Sequence, residues 1–94
     1  MFLGQYAFDG DPVALAAAYR TLLANFPPDS LDLRVTLARA EGLLVYDACP
    51  DEQTFRAFSV SGEFRAALSA AGLPAPRVAG LGEVVHASLK QPVG

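Results

Sequence analysis

Leu43-Leu44-Val45-Tyr46 is a run of four large apolar residues with no polar alternation. Such a run reads as a strand buried on both faces. Just before it, Leu31, Leu33, Val35 and Leu37 alternate with Asp32, Arg34, Thr36 and Ala38 at the period of a half-buried strand. Ala40-Glu41-Gly42 lies between the two and is short and flexible enough for a tight turn, so the pair is expected to form a hairpin. A chain of 94 residues is a single domain, 1–94, and must find cover for both sides of that second strand.

The flanking segments supply the rest of the sheet and the helices. Phe2 to Phe8 alternates at strand pitch and ends at Asp9-Gly10. Asp11 then fits an N-cap, with Pro12 at the first helical position, where its missing N–H costs nothing. Leu15, Tyr19, Leu22 and Phe26 recur at the spacing of one helix face, and Pro27-Pro28 stops the helix. Pro50-Asp51 opens a second helix with Asp51 as its cap, and Phe55 and Phe58 begin its inward stripe. Ser59 to Gly62 interrupts that stripe, and Ser61 starts a further helical piece carrying Phe64, Leu68 and Ala71. Gly72-Leu73-Pro74 is a helix stop: a left-handed glycine, an apolar residue behind it and a proline. Arg77 to Leu89 reads as a last long strand with a bulge at Gly80 and Gly82, and residues 91–94 as a frayed tail.

The order β-α-β-β-α-β predicts an α+β, ferredoxin-like fold, with a four-stranded antiparallel sheet and two helices on one face. That arrangement leaves the opposite face without a helix. Each apolar side chain left in water there forfeits roughly 1.5–3 kcal/mol. The connections are too short to cover the face, so a homodimer through the open sheet is expected, the partner being a second copy of the chain.

The segment from Gly42 to His86 resembles the small dimeric α+β barrel proteins, the superfamily of antibiotic-biosynthesis monooxygenases and their short relatives. The resemblance is carried by Gly42-Leu-Leu-Val-Tyr-Asp-Ala-Cys-Pro-Asp51, Thr54-Phe-Arg-Ala-Phe58, Phe64-Arg-Ala-Ala-Leu68, Ala71-Gly-Leu-Pro-Ala-Pro76 and Val84-Val-His86. Asp47 matches an acidic position at the end of the third strand, and Cys49 stands where tryptophan is common in the short relatives. The resemblance implies a barrel closed by two sheets across a dimer, with a ligand cleft between sheet and helices. It implies a protein that binds a small hydrophobic or aromatic molecule or, alternatively, a cofactor-independent monooxygenase, isomerase or cyclase acting on an aromatic or polyketide-like substrate.

Composition narrows the classes. A net charge of −3, with a single lysine and six scattered arginines, argues against a nucleic-acid partner. No apolar run approaches the ~20 residues of a membrane span, and the N-terminal residues have no basic segment of the signal-peptide kind. One cysteine, Cys49, forms no intramolecular disulfide, which fits a cytoplasmic location. One histidine cannot build a multi-histidine metal site, and neither a cofactor nor a metal motif is present. The pair Gly80-x-Gly82 is too little to be a nucleotide motif.

The candidate site residues are therefore few. His86, on the last strand, matches a recurring histidine of the resembled relatives and is the candidate acid/base or hydrogen-bonding group; the alternative is a strand-end histidine at the surface or the dimer interface. Arg34 and Asp47 approach each other across the hairpin if it is centred on Glu41-Gly42, as a cross-strand charge pair or as a substrate contact. Because Arg34 alternates with leucines, it is expected to face away from the helices. Tyr6, Tyr19 and Tyr46 are candidates to carry hydroxyls into an otherwise apolar pocket, with Tyr19 also fitting the core stripe.

Overall fold

The computed structural model describes residues 1–25 and 33–88. Seven elements follow one another: β1 (Phe2–Asp9), α1 (Pro12–Asn25), β2 (Leu33–Arg39), β3 (Gly42–Cys49), α2 (Glu52–Ser59), α3 (Gly62–Ala71) and β4 (Arg77–Glu83). The strands form one antiparallel sheet in the order β2-β3-β1-β4. This α+β architecture is consistent with the expected ferredoxin-like arrangement, with three helices where two were expected. The expected helix end at Phe26-Pro27-Pro28, the strand start at Leu31-Asp32, and Leu89 with the tail behind it lie outside the described residues.

Side-chain alternation sorts the sheet into two faces. Phe2, Tyr6 and Phe8 of β1 share a face with their β3 partners Cys49, Val45 and Leu43, and all six belong to the core. The helices supply Leu15, Tyr19 and Leu22 from α1, Phe55 from α2, and Phe64 and Leu68 from α3. In this layer α1 lies over β2 and β3 with α3 beside it, while α2 covers β1 and β4.

Capping explains where the helices begin. The carboxylates of Asp11 and Asp51 accept from the backbone N–H groups of Ala14, at 2.9 Å, and Thr54, at 2.7 Å. The Ser61 hydroxyl accepts from the Phe64 N–H at 3.2 Å. That last cap, just after Val60 closes α2, makes two helices of what the apolar stripe alone presents as one. Gly72 ends α3 in the left-handed region at φ 80°, a conformation glycine adopts without cost from a Cβ.

The last strand is shorter than expected, ending at Glu83 instead of Leu89. The reason is its partner. β4 pairs only with β1, whose ladder closes at Phe2↔Glu83, and the final backbone bond is Val84 N–H to the Met1 carbonyl at 2.8 Å. Past Glu83 the ladder has closed, and residues 84–88 form no strand. The register shift between Leu3 and Gly4, opposite Gly80 and Gly82, is the expected bulge.

The second face is apolar too. Leu3, Ala7, Leu44, Tyr46, Ala48, Leu33, Val35 and Leu37 alternate onto it, with Gln5 among them. Val35 and Leu37 are 48% and 37% exposed on it.

Candidate functional site

Between α1, α3 and the strands β1, β2 and β3 lies a cavity with four polar side chains, Tyr6, Tyr19, Arg34 and Asp47. Its remaining wall is apolar: Phe8, Leu22, Val45, Phe58 and Phe64. The space is about 380 Å³ with the open mouth included, but only about 20 Å³ admits the centres of water molecules. One water needs roughly 10–15 Å³ measured this way, so the closed cavity is the size of one or two waters.

Each polar group reaches the cavity for a readable local reason. Tyr6 sits mid-strand on the helix side of β1, opposite Val45. Tyr19 belongs to the buried stripe of α1 with Leu15 and Leu22. Its ring is part of the core while its hydroxyl lines the cavity, so the two expectations for this residue hold together. Asp47 shares the face of Val45 two residues earlier, and Arg34 is its direct cross-strand partner. Arg34 Nε donates to Asp47 Oδ1 at 2.9 Å.

This placement corrects the expected orientation of Arg34, which faces the helices. Alternation alone does not say which side of an edge strand is covered, and here the leucine side is the uncovered one. The register with β3 settles it, since Arg34 must share the face of Asp47. Tyr46, one residue before Asp47, projects to the opposite face beside Gln5 and Val35 and does not line the cavity. His86 lies beyond the end of β4, is exposed, and is not among the cavity residues. The expectation that His86 sits on a strand thus fails with the shortening of β4.

Burial sets the electrostatics. Asp47 is 4% exposed, and that burial raises its pKa more than the charge and hydrogen bond of Arg34 lower it. The Tyr6 hydroxyl is pushed well above the ordinary tyrosine value, first by burial and then by the charge of Asp47. Tyr19 is raised as well, chiefly by burial, with the nearby Thr36 and Arg34 offsetting part of the rise. Both hydroxyls are therefore protonated at neutral pH and available to donate. Thr36 notwithstanding, neither hydroxyl has a partner in hydrogen-bonding geometry.

Among the described residues three buried polar atoms lack a partner in hydrogen-bonding geometry: Tyr6 Oη, Tyr19 Oη and Arg34 Nη1. An unsatisfied buried polar group costs about 1–3 kcal/mol, so three on the wall of one cavity mark a place where an acceptor belongs. The apolar residues that complete the wall were legible only as core. Phe58 and Phe64 form a tilted pair with ring centroids 4.7 Å apart, and Tyr6 meets Phe64 at 5.2 Å. Nothing in a sequence separates an aromatic residue that fills a core from one that walls a cavity.

Among the described residues no group of three or more His, Cys, Asp and Glu side chains comes together to hold a metal ion. No helix among them is long and apolar enough to cross a membrane. The class that fold and site define is an α+β protein with a small, mostly apolar cavity whose polar end is donor-rich. No family model, curated protein or solved structure matches the chain.

Proposed function

We propose that this protein is a ferredoxin-like homodimer of the dimeric α+β barrel kind that binds a small hydrophobic or aromatic molecule between sheet and helices. The observation that carries the binding reading is the convergence of Tyr6 Oη, Tyr19 Oη and Arg34 Nη1, all buried and unpartnered, on one aromatic-walled cavity. The cavity in its present form is water-sized, so a ring enters by parting Phe58 and Phe64. These stand on different helices, on either side of the break at Val60-Ser61. The dimer reading is supported by the second sheet face, where Val35 and Leu37 remain exposed and most neighbours are apolar. The kinship rests on element order and sheet order. A cytoplasmic location accords with a buried Cys49 that enters no disulfide among the described residues.

The enzymatic alternative draws less support from the geometry. Its proposed base, His86, is exposed and apart from the cavity, and the two tyrosines are raised in pKa, which makes them poor proton acceptors at neutral pH. Native mass spectrometry of the purified protein tests the proposal. A dimer that retains or takes up one small aromatic molecule per chain is expected. A monomer that stays unliganded in the presence of excess single-ring aromatic compounds overturns it.

A further inference from the structure

We infer that the cavity selects its ligand through one uncharged acceptor oxygen, that of a ketone, quinone or amide carbonyl, and rejects carboxylates. This rests on the proposed function and specifies the ligand class for the same site. Among the described residues Arg34 is the only cation lining the cavity, and its Nε already serves the Asp47 carboxylate at 2.9 Å. The charge at the polar end is therefore balanced before any ligand arrives. What remains is donor capacity: the Nη1–H of Arg34 and the hydroxyls of Tyr6 and Tyr19, two residues that are 2% and 6% exposed. A carbonyl oxygen has two lone pairs and no charge, and it matches that set.

A carboxylate does not. It would bring a second negative charge beside Asp47 into a site walled by Phe8, Phe58 and Phe64. To gain the Arg34 pair for itself it would have to displace Asp47, leaving a buried carboxylate without a partner. Burial already disfavours the ionised form of Asp47, and a second anion would disfavour it further. The cavity's small interior also limits the polar group it admits to a single oxygen.

Three single-ring probes that differ only at the polar end separate these possibilities: toluene, acetophenone and benzoate. Each is titrated into the intact protein carrying ¹³C-labelled Phe and Tyr rings, and the ring signals of Tyr6, Tyr19, Phe58 and Phe64 are followed by NMR. Acetophenone is expected to bind about tenfold more tightly than toluene, as one or two neutral hydrogen bonds provide, and at least as much more tightly than benzoate. In Tyr6→Phe and in Tyr19→Phe, made singly, acetophenone should lose about two- to tenfold while toluene is unchanged. Benzoate equal to or tighter than acetophenone overturns the inference and leaves the binding reading intact. Toluene equal to acetophenone does the same. If none of the three shifts the cavity signals, the binding reading itself fails and the inference falls with it.

Discussion

Replacing Arg34 by methionine keeps an unbranched apolar stem and removes the guanidinium, leaving Asp47 buried at 4% exposure with no counter-ion. Breaking a buried pair from one side typically costs about 3–5 kcal/mol; Arg34 keeps 21% of its side chain exposed, which argues for the lower end, about 3 kcal/mol. With a urea slope near 1 kcal/mol/M for a chain of this size, the unfolding midpoint should fall by roughly 3 M. The pH dependence has a definite sign. Without Arg34 nothing opposes burial, so the folded pKa of Asp47 climbs further above its unfolded value of 3.8. A group with a raised folded pKa contributes its stability below the unfolded value and loses it as pH rises through the folded one. The variant should therefore approach wild type near about pH 4 and fall furthest behind near about pH 7. The double variant Arg34→Met, Asp47→Leu removes both charges and should regain most of the loss or exceed wild type. Urea unfolding of all three proteins across that pH range is the assay. A double variant as unstable as Arg34→Met, or a single variant that loses less than about 1 kcal/mol at neutral pH, would refute the reasoning, since it would mean that Asp47 is solvated.

Further substitutions probe other parts of the fold. A Cβ at Gly4 would stand 1.9 Å from Phe55 Cε1, and Phe55 is 1% exposed, so Gly4→Ala should cost about 1–3 kcal/mol in thermal or urea unfolding, with partial recovery on adding Phe55→Leu. Leu37→Lys places a charge on the open sheet face, where Leu37 is 37% exposed, and should convert a dimer to monomer in sedimentation equilibrium without changing the circular dichroism spectrum. His86→Ala should leave the affinity for acetophenone unchanged in the NMR titration, because His86 does not line the cavity.

The elements were legible where a local rule acts alone. The caps at Asp11, Asp51 and Ser61, the stop at Gly72 and the bulge near Gly80 each depend on a few neighbouring residues, and each stands where the sequence puts it. The approach of Arg34 to Asp47 across the hairpin was legible too, but their direct pairing was not, because the turn falls at Ala40-Glu41, one residue before the expected centre at Glu41-Gly42. What the sequence hides depends on more distant partners. The end of β4 is set by its ladder with β1, which closes at Phe2↔Glu83, so the apolar pattern of Val84-Val85 misleads about it. The face of Arg34 depends on which side of the sheet α1 covers, and on β3 both sides are apolar. Tyr6 and Tyr46 look alike in sequence, yet their positions in the β1–β3 ladder send one to the cavity and the other to the open face.

The most direct test of the ligand site is a crystal structure of the protein grown with acetophenone. The carbonyl oxygen should lie within about 2.7–3.2 Å of at least two of Tyr6 Oη, Tyr19 Oη and Arg34 Nη1, with Phe58 and Phe64 moved apart around the ring. Acetophenone bound only on the second sheet face, with the Phe58–Phe64 pair undisturbed, would contradict the account.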